Sequence, residues 1–272
     1  MAEPTGEARA ITGRTRLVAV LGDPVEQVRA PALLNPLFAA EDADVVVLPV
    51  HVRPGDLEAV MHGLQRAANL VGLLVTVPHK VHALRFADVR SDAADLAGST
   101  NALRPLRDGS WHADNFDGAG FLAGLTAAGH SPHGRHAVLV GAGGAGRAIA
   151  PALLGAGAAR LVLHDADAAR ATELAARLAL RWPGRVVAAA RPDLSAADLV
   201  VNATPLGMRP GDALPFDPAE LRPDALVADI VMKPAETALL RRAAERGHPV
   251  LPGEPMLRHQ MDLYRSYFGV AR

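Results

Sequence analysis

Residues 136–153, HAVLVGAGGAGRAIAPAL, decide the fold of this chain. An apolar run predicts a buried strand, a cluster of glycines follows it, and a helical pattern begins directly after the glycines. The hexapeptide GAGGAG matches the GxGxxG pattern, in which glycines form a tight turn and let backbone N–H groups approach a pyrophosphate. The N-terminus of the helix adds positive potential for an anion. We therefore predict a dinucleotide-binding loop rather than a glycine-rich packing turn, and its predicted contact residues are Gly141, Gly143, Gly144 and Ala145.

The next predicted strand, LVLHDAD at residues 161–167, ends on an acid. Asp165 follows the glycine-rich loop at close to the spacing of about 20 residues expected for an acid that binds the adenosine ribose. Capping of the following helix is the alternative, since Asp is a good helix cap. Asp167 is better placed for that cap, so we predict that Asp165 binds the ribose hydroxyls. A carboxylate there would repel the 2′-phosphate of NADP, so we expect NAD as the preferred cofactor and NADP as the less favoured one.

The composition limits the class of function. Half of the 272 residues are apolar, the formal net charge is −1, and aromatic residues make up 4%. Lys and Arg are scattered along the chain, which argues against a nucleic-acid or membrane-surface role. The chain has no cysteine, and its histidines lack partners at metal-ligand spacing, so we predict no disulfide and no metal site. The N-terminal stretch MAEPTGEARAITGRTR lacks the apolar core of a signal peptide, and no apolar run reaches transmembrane length, so we expect a cytoplasmic protein.

Strand-like and helix-like segments alternate along the whole chain. Nearly unbroken runs of Val and Leu predict buried strands, and Pro near the start of two early helical segments suits the first turn of a helix. Such alternation predicts a parallel α/β architecture with right-handed crossovers. The predicted strands are RLVAVLG, VVVLPVHV, VGLLVTV, HAVLVG, RLVLHD, ADLVVNA and ALVADIVM, and a polar stretch, GHSPHGRH, is predicted to be a boundary loop.

Eight motifs, in order along the chain, resemble those of the shikimate dehydrogenase family. They are GDPVEQVRAPALLN, VTVPHK, GSTNAL, DNFDGAG, VGAGGAGRA, VNATPLGM, ADIVMKPAETALL and GEPMLRHQ. The resemblance runs from about Leu17 to Phe268 and is to a divergent branch of shikimate and quinate dehydrogenases. It implies an α/β substrate-binding catalytic domain of residues 1–117 plus 250–272 and a Rossmann-type, doubly wound dinucleotide-binding domain of residues 118–249. The C-terminal helix is expected to return to the substrate domain.

The resemblance also implies functional residues at the matching positions. VTVPHK supplies a substrate-binding Thr76 and an essential Lys80, and DNFDGAG supplies Asp117 as the acidic partner in catalysis. GSTNAL and GEPMLRHQ supply Asn101 and Gln260 as substrate ligands. The residues expected on the cofactor side are Asn202, Thr204 and Met208 from VNATPLGM, together with Gly253.

These residue types suit hydride transfer to a ketone. The carbonyl oxygen develops negative charge, which a nearby ammonium stabilises and to which it can deliver a proton. A neighbouring carboxylate keeps Lys80 charged and oriented. The alternative for Lys80 is a solvated lysine at a helix start, a position that the helix dipole disfavours. The alternative for Asp117 is an N-cap of the helix that follows it, and the alternative for Asn101 and Gln260 is turn or surface polarity.

Three departures from the family pattern bear on the substrate and the cofactor. Two serines that hold the substrate carboxylate in the family are Val28 and Ala30 here, and a tyrosine that often adds a further contact is Met232. We predict that Arg29 replaces these contacts, because guanidinium binds carboxylate bidentately. An exposed loop arginine is the alternative. The arginine that would clamp a 2′-phosphate is Ala166, which again favours NAD.

Together these residues predict an NAD-preferring oxidoreductase that interconverts shikimate, or a quinate-like cyclic hydroxy acid, and its 3-keto form. We expect a small hydroxy-acid substrate, no nucleic-acid or membrane partner, and a monomer or homodimer. The alternatives are a dehydrogenase of a different ring polyol or of an amino-substituted shikimate analogue, and a non-catalytic dinucleotide-binding sensor on the same fold. The sensor would not need the residues that are retained here, which are Lys80, Asp117, Asn101 and Gln260.

Overall fold

The computed structural model describes residues 10–270, so the first nine residues of the N-terminal stretch and the last two of the chain lie outside it. Two six-stranded sheets organise this part of the protein. Each sheet has an apolar core on both of its faces. The predicted α/β fold with two domains is confirmed. Among residues 10–270, none of the helices is both long and apolar enough to span a bilayer.

The N-terminal part of the chain forms the first sheet. Its elements are β1 (Arg16–Gly22), α1 (Ala30–Ala40), β2 (Val45–His51), α2 (Leu57–Leu64), β3 (Leu70–Val75), α3 (Lys80–Ala83), β4 (Val89–Arg90), α4 (Asp92–Ala97), β5 (Ala102–Pro105) and β6 (Trp111–Asp114). The strand order is β2-β1-β3-β5-β6-β4. Strands β1, β2 and β3 are parallel, as predicted, whereas β5 is antiparallel to both β3 and β6. Only a short turn joins β5 to β6, and so short a connection permits antiparallel pairing alone.

The second sheet has the strand order of a doubly wound dinucleotide-binding fold. Its elements, with the helices that follow it, are α5 (Asp117–Ala127), β7 (His136–Val140), α6 (Gly146–Gly155), β8 (Arg160–His164), α7 (Ala168–Ala179), β9 (Val186–Ala188), β10 (Leu199–Asn202), β11 (Leu226–Asp229), α8 (Ala238–Glu245), β12 (Val250–Leu251), α9 (Glu254–Arg258) and α10 (Met261–Tyr267). All strands are parallel, in the order β12-β11-β10-β7-β8-β9. The order reverses between β7 and β10, where such folds bind ligands. Strand β12 carries the sheet slightly past the predicted boundary at residue 249.

The C-terminal helix packs back on the first sheet, as predicted. Met261, Tyr264 and Phe268 lie in the same apolar cluster as Val18 and Val20 of β1. Their spacing along the sequence places the three side chains on one face of the helix. The last segment of the chain therefore completes the core of the first domain.

Helix α4 and the glycine-rich loop hold the two domains in contact. Ser99, just after α4, donates a hydrogen bond from Oγ to the backbone oxygen of Gly144 at 3.1 Å. Arg181, just after α7, pairs with Asp92 of α4 at 2.7 Å. These contacts place the carboxyl end of β7 beside the first domain.

Candidate active site

A lysine and an aspartate form a nearly buried ion pair beside the first sheet. Lys80 opens α3 after the loop that leaves β3, and Asp117 is the first residue of α5, after β6. Lys80 Nζ donates to Asp117 Oδ2, and the two side chains are 12% and 5% exposed. Phe116, not Asp117, occupies the N-cap position of α5. The alternatives of a solvated lysine and a capping aspartate therefore do not describe this pair.

Asn101 lies at the centre of a polar cluster around the ion pair and is 2% exposed. Its Oδ1 accepts a hydrogen bond from Phe116 N at 2.9 Å, so its Nδ2 is turned towards the ion pair. Nδ2 lies 3.0 Å from Asp117 Oδ1 and 3.1 Å from Gln260 Oε1. Asn101 is therefore a buried, fully bonded residue and not a polar residue of an exposed turn.

Gln260 reaches the cluster from the C-terminal segment, immediately before α10, and is also buried. Its Nε2 donates to Met256 O at 3.1 Å and lies 3.5 Å from Asp117 Oδ1. A Cβ on Gly120 of α5 would be 2.6 Å from Gln260 Cγ, so the close approach of the helix requires glycine. In the described part of the chain, no group of three His, Asp or Glu side chains could hold a metal ion. The residues that four separate motifs bring together here are Lys80, Asn101, Asp117 and Gln260.

The sequence analysis missed Tyr264, which belongs to the same cluster. Its hydroxyl lies 3.0 Å from Asn101 Nδ2 and donates to Gln260 Oε1. Burial, reinforced by the charge of Asp117, raises the pKa of the Tyr264 phenol well above its ordinary value. A signal was available, since Tyr264 follows Gln260 by one helical turn and so shares its face of the C-terminal helix.

Thr76 and Arg29 are the two other predicted substrate ligands. Thr76 follows β3 and is half-buried, and a Cβ on Gly22 would be 2.6 Å from its methyl group. Arg29 is exposed at the N-cap position of α1. Within residues 10–270, neither side chain takes part in the hydrogen bonds around Asp117.

An apolar patch replaces the family's carboxylate-binding hydroxyls. Val28 and Met232 are half-buried and pack against the cluster that contains the buried Ala30. Phe116 packs against the same cluster and directly precedes Asp117. The two departures that bear on the substrate carboxylate, Val28 with Ala30 and Met232, therefore share one apolar cluster with Phe116, the residue before Asp117.

The glycine-rich loop fits a nicotinamide dinucleotide. Gly141 has a φ of 107°, and a Cβ on Gly146 would lie 1.9 Å from Gly141 O, so both positions require glycine. A Cβ on Gly143 would meet nothing within 4 Å, so the space beside it is open to a pyrophosphate. Ala145 is the N-cap of α6, so the N-terminus of that helix, with its positive potential, begins beside the loop.

Asp165 anchors the glycine-rich loop. Its Oδ2 accepts a hydrogen bond from Ala142 N at 2.7 Å, and its Oδ1 accepts one from Asp167 N at 2.9 Å. Asp167 caps α7 through Ala169 N at 3.1 Å, as the sequence analysis expected. Both carboxylate oxygens of Asp165 therefore already accept a backbone hydrogen bond. Each oxygen can still accept another hydrogen bond from a ribose hydroxyl.

Asn202 is buried and fixes the loop after β10. Its Oδ1 accepts from the backbone N and the Oγ1 of Thr204, at 3.0 and 2.7 Å. Its Nδ2 donates to Leu206 O at 3.1 Å and to Asp229 Oδ1 at 3.0 Å. Burial raises the pKa of Asp229, although its hydrogen bonds oppose that effect. The loop presents Met208, which is exposed, at its far end.

Gly253 allows the C-terminal segment to cross the end of β11. A Cβ at this position would lie 2.5 Å from Ile230 O and 2.7 Å from Val231 O. Any larger residue would push the two backbones apart. Gly253 is the N-cap of α9, so this crossing sets the start of the segment that carries Gln260.

Comparisons with known proteins cover nearly the whole chain. A family model described as the shikimate dehydrogenase substrate binding domain matches residues 20–103. The chain is 41% identical over 266 residues to a protein of Rubrobacter xylanophilus named shikimate dehydrogenase (NADP(+)), with 96% of this chain and 93% of that protein covered.

Two solved structures are similar to this chain. Quinate dehydrogenase from Corynebacterium glutamicum, in complex with NAD, is 31% identical with a TM-score of 0.83, and 94% of each chain is covered. Ligand-free 5-ketofructose reductase of Gluconobacter sp. strain CHM43 is 30% identical with a TM-score of 0.82, and 95% of this chain and 94% of that chain are covered. Each of these comparisons covers more than nine tenths of this chain, and so includes both sheets. The chain therefore belongs to the shikimate dehydrogenase family, a family of nicotinamide-dinucleotide-dependent oxidoreductases that act on CH–OH groups.

Proposed function

We propose that this enzyme interconverts shikimate, or a quinate-like cyclic hydroxy acid, and its 3-keto form. The observation that carries the proposal is the nearly buried pair of Lys80 and Asp117, flanked by the Asn101 and Gln260 amides. A ring acid offers several hydroxyl groups, and these four side chains supply both donors and acceptors for them. The names of the similar shikimate and quinate dehydrogenases support the substrate class.

In this proposal Lys80 is the acid–base group. The dinucleotide, when bound, gives or takes the hydride. During ketone reduction, the Lys80 ammonium stabilises the negative charge on the carbonyl oxygen and delivers a proton to it. Asp117 Oδ2 accepts a hydrogen bond from Lys80 Nζ and orients it. The oxygen Asp117 Oδ1, held by Asn101, is placed to accept a bond from a substrate hydroxyl.

The remaining substrate contacts are assigned by position. The Asn101 and Gln260 amides and the Thr76 hydroxyl are the proposed ligands of the substrate hydroxyls. Arg29 is the proposed ligand of the carboxylate, because it lies between Val28 and Ala30 and its exposed guanidinium is not held in the hydrogen bonds of the cluster.

We further propose NAD as the preferred cofactor. Asp165 and Asp167 flank Ala166 beside the glycine-rich loop, so two carboxylates, one of them paired with Arg170 at 3.2 Å, would lie near a 2′-phosphate. At ~5 Å and an effective dielectric of ~20, two unit charges repel each other by roughly 3 kcal/mol, and salt weakens this near the surface. The similar Corynebacterium structure holds NAD, whereas the Rubrobacter relative has NADP(+) in its name. The curated relatives are named for NADP(+), which speaks against this proposal, so it rests on residues 165–167 and on the NAD in the Corynebacterium structure.

An uncharged polyol or keto sugar is the second candidate substrate. The apolar patch of Val28, Ala30 and Met232 favours it, because a carboxylate pressed against apolar groups loses water without gaining a partner. The similarity to 5-ketofructose reductase favours it as well. This candidate uses the same Lys80 and Asp117 chemistry at a carbonyl.

A comparison of two ketone substrates, each measured separately, tests the proposal. The reduced cofactor's absorbance is followed while the purified enzyme reduces either the 3-keto form of shikimate or 5-ketofructose, and the specificity constant kcat/KM is compared. A preference for the ring acid of about tenfold or more supports the first candidate. A preference for 5-ketofructose contradicts it and supports the second. Oxidation of shikimate and quinate in parallel identifies the better ring acid.

The proposal extends to organisation and location. Residues 1–117 plus 250–272 would bind the substrate and residues 118–249 the cofactor, which the family match at 20–103 and the open glycine-rich loop support. A balanced charge and the lack of cysteine support a cytoplasmic enzyme. Light scattering on the purified protein decides between the proposed monomer and homodimer.

A further inference from the structure

Tyr264 is packed beside the ion pair but has no role in the assignments above. Its side chain is 5% exposed. Its ring meets Phe116 edge-on at a centroid distance of 5.5 Å and stacks on Phe268 at 6.3 Å. The apolar core, rather than any ligand, therefore fixes the phenol with its hydroxyl at Asn101 and Gln260.

One assignment of the hydrogen bonds gives every acceptor of the cluster a donor. Asn101 Nδ2 has two hydrogens but three acceptors within reach: Asp117 Oδ1 at 3.0 Å, Gln260 Oε1 at 3.1 Å and the Tyr264 hydroxyl at 3.0 Å. Tyr264 has a hydrogen of its own, which it donates to Gln260 Oε1. If Asn101 gives one hydrogen to Asp117 and the other to Tyr264, each acceptor receives one bond.

Tyr264 thereby decides which way the Gln260 amide faces. Because the phenol donates to Oε1, Nε2 is turned to Met256 O at 3.1 Å and to Asp117 Oδ1 at 3.5 Å. The raised pKa of the phenol, caused first by burial, keeps the hydroxyl protonated and able to donate in neutral and alkaline solution. Loss of this donor would remove one of the two donors within reach of Oε1 and leave only Asn101 Nδ2 at 3.1 Å.

We propose that Tyr264 is a positioning residue, which acts through Gln260 and Asn101 to hold their amides in the orientation that binds the substrate hydroxyls. The inference rests on the proposed function, because it takes these two amides as substrate ligands. It predicts that the Tyr264 hydroxyl affects substrate affinity but has little effect on cofactor affinity.

A double-mutant cycle of Tyr264→Phe and Gln260→Ala tests this inference, with KM and kcat determined separately. Tyr264→Phe should raise the substrate KM about tenfold, the effect expected from one hydrogen bond. It should lower kcat by less and leave the cofactor KM unchanged. In the Gln260→Ala background the same substitution should raise the KM by clearly less, because only the contact with Asn101 remains. An unchanged KM in the single variant, or an equal rise in both backgrounds, overturns the proposal.

Tyr267 provides the matched control. It lies on the same helix, meets Phe116 at a centroid distance of 5.2 Å, and donates a hydrogen bond to His112 O at 2.7 Å, outside the cluster. Tyr267→Phe and Tyr264→Phe should lower the melting temperature by similar amounts, since each loses one hydroxyl that contacts two hydrogen-bond partners. Only Tyr264→Phe should raise the substrate KM. An equal rise in Tyr267→Phe would show a general loosening of the helix and would overturn the proposal.

The double-mutant cycle is measured with the better wild-type substrate of the two ketones, the 3-keto form of shikimate or 5-ketofructose. A wild type that reduces 5-ketofructose and not the ring acid contradicts the proposed shikimate or quinate activity. The cycle on 5-ketofructose then still decides the role of Tyr264. Failure of the proposed function and failure of this inference are therefore separate results.

Discussion

Gly144 of the glycine-rich loop lies directly against the side chain of Lys80, across the boundary between the two domains. A Cβ on Gly144 would be 2.9 Å from Lys80 Cβ and 3.0 Å from Lys80 Cδ. The hydrogen bond from Ser99 Oγ to Gly144 O holds the loop in this place. The loop proposed to bind the pyrophosphate and the lysine proposed to handle the proton therefore share one surface.

We expect Gly144→Ala to lower kcat by roughly 10²-fold, because the added methyl group displaces Lys80 and a small misplacement of a catalytic group is costly. Gly143→Ala is the matched comparison. The space at Gly143 is open, so its methyl group would meet the cofactor and should raise the cofactor KM more than it lowers kcat. Steady-state kinetics with varied cofactor separates the two effects. Identical profiles for the two variants would contradict the contact between Gly144 and Lys80.

Lys80→Ala should abolish turnover, with a loss of about 10²–10⁴-fold or more, because both charge stabilisation and proton delivery disappear. Dinucleotide binding, followed by fluorescence titration, should remain nearly intact. Lys80→Arg separates the two contributions, since guanidinium keeps the charge but does not give up a proton. Near-normal turnover in Lys80→Ala would show that another group handles the proton.

The wild type should prefer NAD over NADP by on the order of 10²-fold in kcat/KM. An Asp165→Asn, Ala166→Arg double variant should shift this preference towards NADP, because it removes one acid and adds a phosphate ligand. Asp165→Asn alone is the control for the loop, since Asp165 also anchors Ala142 N. A wild type that prefers NADP would leave Asp165 with its anchoring role only.

Arg29→Ala should raise the KM for a carboxylate substrate by about tenfold or more, with kcat largely kept, since the carboxylate binds alike in ground and transition states. Arg107→Ala is the control, because Arg107 is exposed in the turn between β5 and β6, away from the ion pair. The KM for an uncharged keto sugar should not respond. If the KM for the carboxylate substrate is also unchanged, Arg29 does not bind the carboxylate and is only an exposed loop arginine.

Glu173→Gln should destabilise the fold at neutral pH and not in acid. Arg147 of α6 is nearly buried and pairs with Glu173 of α7 at 2.6 Å. Its hydrogen bond lowers the pKa of the Glu173 carboxyl. A carboxyl whose pKa is lower in the folded protein than its unfolded pKa of about 4.3 stabilises the fold at a pH above about 4.3. This stabilisation is lost as the pH falls through the pKa of the folded state.

The difference in melting temperature between wild type and Glu173→Gln should therefore close below about pH 4. At pH 7 we expect about 1 kcal/mol, since Glu173 is half exposed, which corresponds to about 2–4 °C. Glu245→Gln, on an exposed position of α8, is the control and should change little at either pH. A difference in melting temperature that is the same at all pH values would show that the charge of Glu173 does not contribute to stability.

Local patterns in the sequence were sufficient for the fold class. The apolar run, the glycines and the helix of residues 136–153 are adjacent in the chain, so the turn they form depends on neighbours alone. Asp167 was identifiable as a cap for the same reason. Lys80, Asp117, Asn101 and Gln260 were located by motif resemblance, which names positions but gives no distances.

The tertiary structure alone decided what these residues contact. Asn101 and Gln260 are 159 residues apart, yet their amides lie 3.1 Å from each other because α10 packs on the first sheet. The same packing brings Tyr264 into the cluster, and domain contact brings Gly144 to Lys80. Helical spacing places Tyr264 on the same face as Gln260, but what that face contacts, and that Gly144 contacts Lys80, depends on how two distant surfaces fit. Sequence spacing specifies a strand, a turn or a cap, whereas the bonding of a buried polar group is specified by packing.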